Sequence, residues 1–353
     1  MVDDGSMASV NPLVDNGWAL PTERSFADCW EEWMGFGTRE KSSLIQYRSI
    51  YKHHFAGWFG WKPVAAITAQ DIGLWEDDQR RRGYAESGIR GRAVVLKSFL
   101  RYCCETGAIT SYPGKSPKVG GRKDAAYRAV SPTEVPTTSE VMAIYGAMWP
   151  HYKSTVWIQA GCGHRVGEAL AFSESHAGLR EGWYFIQNQL TTFGLNDGAG
   201  RSIEIKNEPK WSRSGRWVPV PPSVAEVLDL HRQTWTPWGE EGWFYESPVY
   251  AGRHPSRTHY SDKWQAAVDK AGLVARGYTP KSLRHYFASM ALAAGVPLYE
   301  VSRWLGHSST KVTERCMRTW WKGLGRGSAT RLRVRWLVRS GRGCGWCLEG
   351  ARA

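Results

Sequence analysis

The chain lacks several features, and each absence narrows the reading. No stretch holds the roughly 18 consecutive apolar residues that crossing a bilayer requires, so a membrane-spanning helix is not expected. The opening "MVDDGSMASVNPLVDNGW" is acidic and has no apolar core, which argues against a secretory signal. Cysteine is scarce: seven residues in 353, odd in number and scattered. That usage excludes a disulfide framework and fits a reducing, cytoplasmic setting. Cys344 and Cys347 form a CxxC, but no second ligand pair stands near them, so a zinc site is not expected. A Walker-type phosphate loop and internal repeats are missing as well. Acidic residues are the minority charge, 33 against 46 Lys and Arg. Finally, no tyrosine occurs after Tyr299.

What is present describes a globular, basic protein. Apolar residues make up 42% and aromatics 13%, too many for a disordered chain. The length accommodates two domains with separate cores. A net charge of +13 points to a polyanionic partner, with nucleic acid foremost.

Residues 1–24 read as a flexible leader. From Ser25 a helical period begins, with Phe26, Trp30 and Trp33 on one face. A second helix is expected from Ser42 to about Ala56. A third is capped by Thr68, with Asp71 in its first turn. A fourth runs from about Ser87 to Glu105 with Val94, Val95, Phe99 and Tyr102 inward, ended by Gly107. These four helices define a compact helical domain over 25–110. Residues 111–136 are rich in Pro, Gly, Lys and Arg and read as a basic linker. The second domain, 137–320, combines helices with "WYFIQNQ", "RSIEIKNEP" and "GRWVPVPP", whose alternation predicts a small antiparallel sheet. Helices are expected again at 223–233, 261–271, 281–294 and 297–305. The segment 321–353 is a basic tail rich in Gly, Arg and Trp, with eight Lys or Arg against Glu349. It is expected to lack structure, although "RLRVRWLVRS" alternates basic and apolar residues as a strand or a DNA-contacting arm would.

Chemistry concentrates in three stretches. In "GCGHRVGEAL", Arg165 follows a glycine turn and Glu168 lies three residues on, where a carboxylate can hold the guanidinium fork toward phosphate oxygens. "TPKSLRHYFASMALAAGVPLYEVSRWLGHSS" supplies Arg284, His285 and, after a further helix, His307. An arginine and a histidine delivered to one place suit an anionic transition state. "EPKWSRSGRWVPVP" carries Lys210 on a predicted hairpin, with Lys206 four residues earlier.

These boxes, in this order and separation over roughly residues 25–316, resemble a tyrosine recombinase of the phage-integrase type. The resemblance implies a fold that is mainly α with a small antiparallel β-sheet. An N-terminal helical core-binding domain, SAM-like, would precede a mixed α+β catalytic domain, the two gripping a duplex from two sides. It implies that Arg165 and Arg284 clamp the scissile phosphate, that His307 donates to it, and that Lys210 protonates the departing 5′-oxygen. Glu168 would hold the active-site helix. The partners implied are double-stranded DNA and further copies of the chain, from dimer to tetramer, with no membrane, no small-molecule substrate, and no cofactor or metal.

The sequence departs from the family pattern twice. Lys281 stands where the family carries a histidine, three residues before the second arginine. The nucleophilic tyrosine is expected nine or ten residues beyond the histidine of "LGH", and those positions are Cys316 and Met317. Three readings are open. Cys316 is itself the nucleophile, its thiol activated by nearby cations; soft sulfur attacks hard phosphorus poorly, however. The protein binds its DNA without cutting it. Or the C-terminal sequence is altered, since Tyr and Cys codons differ by one base and the tail resembles an out-of-register GC-rich frame. The last two together are favoured: an integrase-type chain with an impaired C-terminus. The expected function is site-specific DNA recombination or integration by strand cleavage and rejoining through a covalent protein–DNA phosphate. The alternative is a non-catalytic DNA-binding protein that occupies recombination sites.

Overall fold

The computed structural model describes residues 24–114, 130–175, 182–193, 202–206, 215–314, 336–338 and 344–346. The chain divides into two compact units, Met1–Lys123 and Asp124–Ala353.

The first unit is helical. Helix α1 (Phe26–Gly35) is capped by the Ser25 side chain. Helix α2 (Lys41–Ile50) runs through a π-helical turn, Tyr51–Phe55, into α3 (Ala56–Phe59). The expected single helix to Ala56 is therefore interrupted by a wider turn. There, the carbonyl of His54 accepts from the Trp75 indole at 2.9 Å. Helix α4 (Ala69–Arg81) opens with the reciprocal Thr68–Asp71 capping box, and α5 (Glu86–Glu105) is the long helix against which α1 and α4 pack. The core is aromatic: Phe26, Trp30, Phe55, Phe59, Trp75 and Phe99 are fully buried. Val94, expected inward, is 66% exposed. In α5, Val95, Leu96, Phe99 and Cys103 already fill the inward face at helical spacing, so Val94 falls beside the stripe rather than on it.

The second unit is built around α7 (Lys153–Cys162), which is buried on nearly every side by α6 (Thr138–Ala147), α9 (Pro222–Thr234) and α11 (Pro280–Ala293). Several of its polar side chains find partners inside the unit, although Gln159 Oε1 is buried without one. Thr155 Oγ1 and Gln159 Nε2 each lie 3.0 Å from the Tyr260 hydroxyl on α10 (Arg257–Lys270). A short α8 (Val166–Leu170) follows α7, and α12 (Leu298–Leu305) follows α11. A further helical stretch begins at 310.

The strands are antiparallel and few, as expected, and among the described residues they pair two by two. β1 (Trp183–Ile186) pairs antiparallel with β4 (Arg216–Pro219), and β2 (Gln189–Phe193) pairs antiparallel with β3 (Ser202–Lys206), as two separate ladders. In the first, Ile186 faces Arg216; in the second, Gln189 faces Lys206. The tail, expected to lack structure, contains a third antiparallel pair, β5 (Trp336–Val338) with β6 (Cys344–Trp346), and β6 lies against α9. Among the described residues no helix is long and apolar enough to cross a membrane.

Candidate active site

Three chain turns converge on one point. The first is the end of α7. Gly163 adopts φ 69°, and a Cβ there would lie 2.5 Å from the Phe287 ring, so only glycine suits both the left-handed turn and the packing against α11. The chain leaves it extended and places Arg165 at the N-cap of α8. Glu168 closes the cap from the third helical position, accepting the Arg165 backbone N–H on Oε2 at 2.7 Å and its Nη1 on Oε1 at 2.7 Å. The carboxylate is wholly buried, whereas the Arg165 side chain is 31% exposed. The anchor is thus inside and the cationic fork reaches out.

The second turn is the end of α12. Gly306, at φ 61°, reverses the chain into His307. His307 donates its backbone N–H to Ser302 O at 3.1 Å, and its Nδ1 lies 2.8 Å from the buried Thr313 hydroxyl. Burial lowers the His307 pKa to about 3, helped by the charges of Arg284, Arg165 and Arg216 and by His285. The ring is neutral at physiological pH.

The third element is α11, which carries Arg284 on its buried side. Arg284 Nη1 donates to Gly163 O at 2.6 Å and Nη2 to Leu305 O. His285 is lowered to about 4 by burial and by Lys281 and Arg284. Lys281 itself is exposed in the first turn of α11, one turn before Arg284.

A further arginine, not expected from the sequence, completes the cluster. Arg216 is the first residue of β4 and points inward with Val218, while Trp217 between them faces out. Its Nη1 and Nη2 pair with Glu168 Oε1 and Oε2 at 3.0 and 2.7 Å, and its Nε donates to Trp304 O at 2.7 Å. Burial alone would raise the Glu168 pKa. The charge and hydrogen bonds of Arg216, with Arg165 and Arg284, override that and hold the carboxyl well below the usual range.

The three guanidiniums share a template. Three consecutive carbonyls at the end of α12 each accept from a different arginine: Trp304 O from Arg216, Leu305 O from Arg284, and Gly306 O from Arg165. These oxygens sit at the negative end of the helix dipole. With one carboxylate among three arginines and neutral histidines, the site keeps an excess of two positive charges.

Of the residues expected at the site, Arg165, Arg284 and His307 come together, and Lys281 lies at its edge. Lys210, Cys316 and Met317 fall outside the described residues. Lys206 ends β3, where its backbone alone is described. Arg216 and Thr313 were missed. A charged residue on the inward phase of an alternating strand was the available signal for Arg216; Thr313 carried none. Among the described residues no cluster of His, Cys, Asp and Glu could hold a metal ion.

Residues 136–318 match the sequence profile of the phage integrase family. The chain belongs to that family. It is 25% identical over 329 residues to an integrase of Streptomyces ambofaciens, covering 86% of this chain and 79% of the relative. It is 23% identical over 296 residues to a XerC-like tyrosine recombinase of Caldanaerobacter subterraneus subsp. tengcongensis, covering 78% and 73% respectively. Among solved structures, the Tn1549 transposon integrase in complex with a circular intermediate DNA superposes with a TM-score of 0.68 at 14% identity, over 85% of this chain and 98% of that one. That likeness establishes the tyrosine-recombinase fold for this phage integrase family member, mainly helical with small antiparallel ladders. Membership accords with site-specific recombination.

Proposed function

We propose that this protein binds double-stranded DNA at recombination sites through the machinery of a strand-exchanging recombinase, with the attacking residue replaced. The observation that carries the reading is the convergence of Arg165, Arg284 and His307 on the turn that closes α12, within a field of excess positive charge. Arg165 and Arg284 bind the non-bridging oxygens of the scissile phosphate and neutralise charge as phosphorus becomes five-coordinate. Thr313 Oγ1 lies 2.8 Å from Nδ1, and in the tautomer where it donates there, the neutral His307 ring carries its proton on Nε2 and presents it to the same phosphate. Lys210 protonates the departing 5′-oxygen, and Lys281 adds positive charge beside the phosphate. The helical unit and the 111–136 linker contribute backbone contacts along the duplex, so affinity falls steeply with salt. Several copies assemble on paired sites.

In a complete enzyme the attacking oxygen forms an ester to phosphorus as the bond to the 5′-oxygen breaks, conserving the phosphodiester energy in a protein–DNA link. Cys316 and Met317 stand where that oxygen belongs. A thiolate is a poor nucleophile toward phosphorus, so the chain recognises its site and is disarmed for cleavage.

The test uses a nicked duplex selected by the protein itself from a random-sequence library. The natural chain is expected to form no covalent adduct, and Cys316→Tyr or Met317→Tyr to form one. An adduct from the natural chain that vanishes in Cys316→Ala makes the cysteine the nucleophile. Absence of adduct in all four, with binding retained, leaves a pure site-occupying protein.

A further inference from the structure

We infer that Arg216 is a positioning residue of the phosphate site: it holds the Glu168 carboxylate and the α12 turn in the one arrangement that aligns Arg165 and His307. The inference rests on the functional reading above and extends it to a residue that the family resemblance did not supply.

Arg216 is tied to both halves of the site at once. Its two terminal nitrogens take both oxygens of Glu168, at 3.0 and 2.7 Å. Glu168 in turn fixes Arg165 twice, through the backbone N–H and through Nη1. The third donor, Nε, takes Trp304 O, two residues before Gly306. A Cβ on Gly306 would lie 3.0–3.1 Å from Cδ, Nε and Cζ of Arg216. The turn into His307 therefore packs closely against the end of the Arg216 side chain. A planar fork with three directed donors spans these partners; a lysine ammonium, a point charge on a flexible stem, does not.

The pairing also sets the charge of the site. Were Glu168 paired with Arg165 alone, its negative charge would cancel the cation meant for the phosphate. Shared between two guanidiniums, the carboxylate leaves the trio with a net charge of +1 beside the partly exposed Arg165. Arg216 is placed for this by β4. Ile186 fixes its register, and Gly215 before it, at φ 68°, has room for no side chain against Phe185 and the Ile186 carbonyl.

The experiment compares Arg216→Met, Arg216→Lys and the paired Glu168→Gln/Arg216→Gln with their parent, as full chains in the Cys316→Tyr background, on the selected nicked duplex. Two quantities are read: the rate of covalent adduct formation against DNA affinity, and the pH titration of the His307 ring by NMR, assigned with His307→Asn. Arg216→Met is expected to lower the adduct rate by about 100-fold with affinity held within about 2-fold, the scale of a misplacement near 1 Å. Arg216→Lys restores charge without the fork and recovers only part of the rate. The His307 titration, depressed in the parent by burial and the neighbouring arginines, moves upward in Arg216→Met as one cation is lost and the turn loosens. A parental rate and an unmoved titration in Arg216→Met overturn the inference. Should Arg216→Met fail to fold, the charge-balanced pair is read by the same two measurements, and a parental rate with an unmoved titration again overturns the inference. Should the Cys316→Tyr parent form no adduct, the disarmed-enzyme reading fails. The His307 titration, which needs no cleavage, then decides for Arg216 if it moves and against it if it does not.

Discussion

Replacing Glu168 by glutamine tests the central network with almost no change of shape. Glu168 accepts four hydrogen bonds: on Oε1 from Arg165 Nη1 and Arg216 Nη1, and on Oε2 from the Arg165 backbone N–H and Arg216 Nη2. Glutamine keeps one oxygen and presents an NH2 to the other two donors. With the NH2 in the place of Oε1, the bonds from Arg165 Nη1 and Arg216 Nη1 are lost, at roughly 1.5–3 kcal/mol each. Breaking a buried ion pair on one side costs about 3–5 kcal/mol. Both estimates meet near 4 kcal/mol. In a unit of this size that corresponds to a fall of roughly 8–16 °C in the melting temperature. Calorimetry should therefore show a transition displaced by that amount at pH 7. The pH dependence gives an internal check. The folded pKa of Glu168 is depressed, so its contribution is complete above the unfolded carboxylate pKa of about 4.3 and is lost as pH falls below it. The gap between the natural chain and Glu168→Gln should shrink on acidification through that range. Affinity for non-specific duplex should not fall, because the substitution removes a negative charge. A displacement under about 3 °C, or a gap constant with pH, refutes the reasoning.

Gly306→Ala forces a side chain into a left-handed turn and against Arg216, and should cost about 2 kcal/mol in urea unfolding while slowing any cleavage-competent variant. His164 is fully buried, and burial lowers its pKa to about 3. The unfolded chain therefore binds a proton that the folded one refuses. Stability should decline as pH falls from about 6.5 toward 3, by at most roughly 5 kcal/mol from this residue, and His164→Leu should flatten the decline. Val94→Ser, on the exposed side of α5, should leave the melting curve within about 0.5 kcal/mol of the natural chain; a larger loss would return Val94 to the core.

How far the sequence could be read depended on how local each determinant was. The Thr68 and Thr137 capping boxes, the glycine turn before Arg165 and the helical spacing of Phe26, Trp30 and Trp33 act within a few residues, and each was legible or nearly so. The pairing of β1 with β4 rather than with its neighbour was not, because "WYFI" and "RWVP" meet only after the intervening strands have been set aside. Arg216 was hidden for the same reason. Alternation says that it faces inward, but its partners Glu168 and Trp304 lie 48 and 88 residues away. Val94 was misplaced because two adjacent valines both fit a helical stripe until packing against α1 and α4 selects one.

Because the oxygens that receive Arg216, Arg284 and Arg165 belong to the main chain, the side chains at 304 and 305 answer to the apolar core and not to the grip. Chain length there has no such freedom. Inserting or deleting a single residue before position 304 would shift every acceptor by one place and hand each guanidinium its neighbour's oxygen. Apolar exchange at 304 and 305 should be tolerated, glycine kept at 306 and indels absent when variants are selected for function.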